Sequence, residues 1–191
     1  VHFQNGIYSI TKKDYINARK FFTVDIQYNE DWNMVGVPLL VENADYQFLF
    51  PDAVVGTLFR FGQGYINEQY LTPGNGYWLR FYNSGISTVE GFVVPQLELN
   101  LISNWNLISG NSMEIPVTSI IDPDGIIVPN TFYFYDGGYM KAETLVPGKS
   151  YWMRATDFGM VIIPNSVLER ESTTFDYDLF STANTLKMNG T

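Results

Sequence analysis

Reactive side chains are few in this 191-residue chain, and their types exclude much chemistry. There is no cysteine, which removes thiolate nucleophiles, disulfides and cysteine-ligated zinc or iron–sulfur centres. The one histidine, His2, stands beside the first residue, so Ser–His or Cys–His catalysis and His-rich metal sites have no components. Two carboxylates across a cleft are enough for glycoside hydrolysis. The candidates are Asp31, Glu42, Asp45, Glu68, Glu114 and Glu143, which fall mostly in turn-like stretches with no pairing visible in the spacing. A carboxylate-only glycoside hydrolase is therefore a remote alternative, and we expect no enzyme and no catalytic residue. Calcium has two candidate stretches, Asn29-Glu30-Asp31 and Asp122-Pro123-Asp124-Gly125. Neither has the alternate-position ligands and distant Glu of an EF-hand loop, and a Pro-Asp-Gly turn explains the second more simply. The expectation is no cofactor and no metal, with calcium the only ion that has candidate ligands.

Aromatic recognition is the chemistry still open. Pro73-Gly74-Asn75-Gly76-Tyr77-Trp78-Leu79-Arg80 returns nearly intact as Pro147-Gly148-Lys149-Ser150-Tyr151-Trp152-Met153-Arg154. Each copy reads as a Pro-Gly turn feeding a strand. Neighbouring strand residues point to opposite faces, so Tyr77 and Leu79 share one face and Trp78 and Arg80 the other, as do Trp152 and Arg154. If Tyr and Leu alone face the core, Trp78, Arg80, Trp152 and Arg154 form a platform for a sugar ring or a partner's aromatic, with cation–π support. If both faces are buried, the Trp–Arg pair is a core staple. We expect the staple and place Trp32, Trp78, Trp105 and Trp152 in the core, because large aromatics dominate cores and duplicated positions serve duplicated packing.

The elements that carry these residues are also duplicated. Val24, Ile26 and Tyr28 alternate with polar residues and lead into Trp32-Asn33-Met34-Val35; Leu97, Leu99 and Leu101 do the same before Trp105-Asn106-Leu107-Ile108. Short apolar stretches closed by proline, Phe48-Leu49-Phe50-Pro51 and Ile120-Ile121-Asp122-Pro123, predict one helical turn each. The segments Thr57–Tyr65 and Thr131–Tyr139 each predict a hairpin with a two-residue turn containing glycine. Every tryptophan occupies a duplicated position. The predicted fold is all-β, with two pseudo-symmetric repeats sharing one sandwich or barrel-like core and with short helical turns. Boundaries follow: 1–20, an N-terminal hairpin extension around Gln4-Asn5-Gly6 or the end of a preceding domain; 21–94, repeat 1; 95–164, repeat 2; 165–191, an extended tail or linker in which Phe175, Tyr177 and Leu179 suggest an edge strand. The start at Val1 reads as a piece of a longer polypeptide.

The Trp-Asn-Leu-Ile stretch at 105–108, the Gly137-Gly138-Tyr139 turn and Pro147-Gly148-Lys149-Ser150-Tyr151-Trp152 resemble a tandem repeat of secreted bacterial surface proteins, often type-IX-secreted multidomain chains. The resemblance covers about residues 21–164. Asn75 stands where Lys is commoner in that repeat, and Ser150 where Gly is commoner. It implies an extracellular or cell-surface all-β structural module without an active site. A net charge of −9 argues against nucleic acid and anionic membranes, and no run is long enough for a spanning helix. The expected function is a non-catalytic extracellular structural or assembly module of a surface or secreted protein. Its partners would be other protein chains or further copies of itself, joined by strand pairing. The alternative is a carbohydrate-binding module that uses exposed Trp and Tyr to hold glycans.

Overall fold

The computed structural model describes residues 3–4, 7–8 and 20–165 and is all-β. The sequence tail from 166 and most of the first 19 residues, including the expected Phe175–Leu179 strand, lie outside the described residues. Strands β1 (Phe3–Gln4) and β2 (Ile7–Tyr8) pair antiparallel, Phe3 with Tyr8 and Gln4 with Ile7.

The first half runs through β3 (Phe21–Tyr28), β4 (Asp31–Val35), β5 (Leu39–Leu40), α1 (Tyr46–Leu49), β6 (Phe59–Phe61), β7 (Tyr65–Asn67), β8 (Tyr77–Phe81) and β9 (Gly85–Val93). The second runs through β10 (Gln96–Leu101), β11 (Asn104–Ser109), β12 (Ile115–Pro116), a 3-10 turn (Val117–Ser119), β13 (Tyr133–Tyr135), β14 (Tyr139–Lys141), β15 (Thr144–Leu145), β16 (Ser150–Ala155) and β17 (Gly159–Pro164). The same four-stranded order appears in each, β4-β8-β6-β7 and β11-β16-β13-β14, and β3 pairs with β9 as β10 pairs with β17. Strands β9 and β17, which no sequence pattern marked, close each half.

Local chemistry explains the elements. The alternation in β3 and β10 puts Ile26, Tyr28, Leu97, Leu99 and Leu101 inside. Asp45 caps the single turn of α1 by accepting from the Gln47 amide at 2.8 Å. In the second half the predicted turn at Ile120-Ile121 forms instead at Val117–Ser119. The hairpins pair Phe61 with Tyr65 and Tyr135 with Tyr139, so their loops hold three residues and not the two expected. Gln63 and Gly137 take the left-handed backbone that such loops need.

Among the described residues, the buried side chains gather in one cluster per half and a smaller one built from both. The first holds Tyr77, Leu79 and Phe81, the second Tyr151 and Met153, and the third Met34, Leu107 and Trp152.

The Pro-Gly motif locks the halves together. Thr72-Pro73-Gly74-Asn75 is a turn closed by the Asn75 amide on the Thr72 carbonyl at 3.1 Å, and Gly74 has φ +89° at its third position. The buried Tyr77 hydroxyl accepts from the Thr72 amide at 3.0 Å; Tyr151 does the same for Val146 at 2.7 Å. Each motif tyrosine thus pins the residue before its own proline. Each turn then joins the opposite half: the Ser109 amide donates to Gly74 O at 2.9 Å, and the Gly36 amide donates to Gly148 O at 3.0 Å. Gly74 lies over Leu99 and Gly148 over Ile26, too close for a side chain. Buried Ser109 and Ser150 complete the seam, Ser109 Oγ accepting from the Gly74 amide at 3.1 Å and Ser150 Oγ donating to the Val35 carbonyl.

Candidate aromatic cleft

In β8 the motif sorts its side chains as strand geometry requires. Tyr77, Leu79 and Phe81 face the first core, whereas Trp78 is half-buried and Arg80 exposed on the other face. In β16, Tyr151 and Met153 are core, Trp152 is 9% exposed and Arg154 is exposed. The expectation of four core tryptophans is corrected here. Trp32 and Trp105 are 37% and 36% exposed, because each stands on the outer face of its four-stranded sheet beside an arginine. The staple and the platform are thus separate residues: Trp78 and Trp152 are packed, and Trp32 and Trp105 rise beside them. Neither arginine is a staple, since both guanidinium-bearing residues are exposed.

The outer faces of the two sheets meet, and their aromatics interleave. Trp78 lies 5.1 Å from Tyr135 of the other half, and Trp152 lies 4.8 Å from Phe61, both edge-on. Trp32 meets Trp78 at 6.4 Å and 83°, and Trp105 meets Trp152 at 6.4 Å and 83°. Two hollows open between them. One, of about 390 Å³, is lined by Trp32, Phe59, Tyr65, Trp78 and Tyr135. The other, of about 510 Å³, is lined by the duplicated counterparts Trp105, Tyr133, Tyr139, Trp152 and Phe61, with Tyr65 between the two. Each hollow therefore takes four walls from one half and at least one from the other, so docking of the halves creates both.

A polar contact also joins the halves. Asn29 Nδ2 donates to Asp136 Oδ1 across the halves at 2.8 Å. Desolvation, then repulsion from Tyr139, raise the pKa of Tyr65, so its hydroxyl stays protonated and able to donate. The Trp78 indole N–H opposes that rise, but it is solvent-excluded and has no acceptor at hydrogen-bond length among the described residues.

The candidate carboxylates are dispersed. Asp31 pairs with Arg80 at 2.6 Å, Glu68 with Arg60 at 3.0 Å, and Asp45 caps α1. Asp122 accepts from the Ile126 and Ile127 amides at 3.1 and 2.9 Å, which fixes the Pro-Asp-Gly turn. Among the described residues, no three His, Cys, Asp or Glu side chains gather as a metal site.

Phe59, Phe61, Tyr65, Tyr133, Tyr135 and Tyr139 are cleft residues beyond the four expected from the sequence. Their signal was available: Phe59-Arg60-Phe61 and Tyr133-Phe134-Tyr135 keep aromatics on one strand face in both copies. No family model, curated protein or solved structure matches the chain.

Proposed function

We propose that this protein is a non-catalytic extracellular module that binds carbohydrate in the aromatic cleft. The observation that carries the reading is the pair of open hollows, each walled by the same five duplicated aromatic positions and headed by a partly exposed tryptophan. Flat indole and phenol faces offer a stacking surface for the apolar face of a sugar ring, and phenolic hydroxyls at the rim supply hydrogen bonds. The repeat resemblance supports an extracellular or surface setting. The carboxylates with named partners hold turns and ion pairs, which supports binding over hydrolysis.

Retention on insoluble polysaccharides and glycan arrays tests this, with Trp32→Ala/Trp105→Ala as the variant. Loss of retention in a variant whose melting temperature stays within a few degrees supports the reading. Wild-type protein that is retained on no polysaccharide, at low or high salt, removes it.

A second reading, assembly by strand addition to copies of itself or to other chains, has its own observation. Tyr65, Ile66 and Asn67 of β7, and Tyr139, Met140 and Lys141 of β14, are all exposed on strands at the ends of their sheets. Oligomers in light scattering that disappear on Ile66→Lys/Met140→Lys substitution support it, and a monomer at high concentration counts against it.

A further inference from the structure

The two halves hold the same arginine in different company. Arg80 stands directly across from Trp32 in the β4–β8 pair, as Arg154 does from Trp105 in β11–β16. Arg80 is tied to Asp31 at 2.6 Å, and Glu30 and Asp31 border the polar hollow beside it. In the second half the same places hold Ser103 and Asn104. Asn104 keeps the left-handed backbone of Asp31, φ 80° against 72°, so the framework is retained while both carboxylates are gone. Among the described residues, Arg154 has no carboxylate within salt-bridge distance. It borders a hollow of about 420 Å³ with Ser103, Asn104 and Thr156. Lys141, exposed directly across from Tyr133, adds a second cation where the first half has Asn67 across from Phe59.

We infer that the Trp105–Arg154 corner is a subsite for the carboxylate of an acidic sugar unit, and that the glycan held is a uronate-bearing polysaccharide. This rests on the carbohydrate reading of the cleft. The ring stacks on Trp105, the guanidinium fork takes the carboxylate in a charge-assisted pair, and the Asn104 side-chain amide offers hydrogens beside it, while the Ser103 hydroxyl donates to the Thr156 carbonyl at 3.1 Å. The net charge of −9 opposes anions at long range, so the selectivity is local. The first half, with Asp31 and Glu30 in place, takes a neutral unit.

The test is affinity electrophoresis and calorimetry with polygalacturonate, alginate and hyaluronan, each beside its methyl-esterified form. Wild type is expected to bind at least one acid form about tenfold more tightly than its ester, the scale of one charge-assisted contact at a partly solvated site. Asn104→Asp rebuilds the pair that Arg80 and Asp31 already make, on a backbone that Asp already adopts, and so keeps the fold; it abolishes the difference, as does Arg154→Gln. Equal binding of acid and ester, a preference that survives Asn104→Asp, or retention on neutral polysaccharides alone each overturns the inference and leaves the carbohydrate reading standing. Retention on no polysaccharide overturns both.

Discussion

Replacing Gly148 with alanine tests the seam between the halves. Gly148 has φ +79°, and a Cβ there would lie 2.5 Å from Ile26 Cγ1, 2.7 Å from Cδ1 and 3.0 Å from Cγ2. Two costs add. The left-handed backbone costs an L-residue about 1–2 kcal/mol, and crowding a packed site costs about 1–3 kcal/mol. Gly56 separates them, since its φ of +77° is nearly the same and, among the described residues, nothing lies within 4 Å of the place a Cβ would take. Gly56→Ala should therefore lose about 1–2 kcal/mol, and Gly148→Ala about 2–5 kcal/mol. Ile26→Ala removes all three crowding atoms. It costs about 2–5 kcal/mol alone but should couple favourably to Gly148→Ala, by at least about 1 kcal/mol in the double-mutant cycle. Urea denaturation followed by tryptophan fluorescence and far-ultraviolet circular dichroism measures each term, with the m-value as a check on the unfolded state. Equal losses at Gly56 and Gly148, together with additive behaviour at Ile26, would refute the docking contact.

Further outcomes follow from burial, titration and turn geometry. Trp152→Ala should cost about 3–5 kcal/mol and Trp105→Ala clearly less, because Trp152 is 9% and Trp105 36% exposed; equal losses by denaturation would contradict the placement. Desolvation pushes Tyr151 up to about 12, with the Val146 amide opposing and Glu114 adding to the rise. The unfolded chain then loses this proton near pH 10 while the folded chain keeps it. The tyrosine's contribution is thus complete below pH 10 and falls by roughly 2–3 kcal/mol between pH 10 and 12. Stability measured across that range should fall in wild type and fall less in Tyr151→Phe; identical slopes would refute it. Asp122→Ala should cost about 1–3 kcal/mol from two lost backbone contacts, whereas chelation should leave the wild-type melting temperature unchanged. A large drop on chelation would return calcium to that turn.

The sequence made the strands legible wherever period-two alternation met glycine or proline punctuation, as at Val24–Tyr28, Leu97–Leu101 and the Pro-Gly motif. It hid β9 because the pattern there is mixed: Ser87 and Gly91 share the buried face with Val89 and Val93, while Ile86 and Phe92 are exposed beside Thr88 and Glu90. It hid β17 because Met160-Val161-Ile162-Ile163 is a continuous apolar run without alternation. The duplicated tryptophans were visible, but their separation into packed and exposed pairs was not. That separation depends on Phe61 and Tyr135 reaching across from the opposite half, a contact between segments far apart in the chain. Likewise, Arg80 and Arg154 looked equivalent until the registers with Trp32 and Trp105 placed Asp31 beside one and Asn104 beside the other.

Nitrogen–proton correlation spectra of the four tryptophan indoles, recorded while a retained oligosaccharide is added, test the cleft most directly. Single Trp→Phe variants assign the peaks. The Trp32 and Trp105 signals are expected to shift and saturate with the ligand, at the same concentrations that saturate calorimetry. Saturating binding that leaves both signals in place would put the carbohydrate elsewhere on the molecule and contradict a binding cleft at these tryptophans.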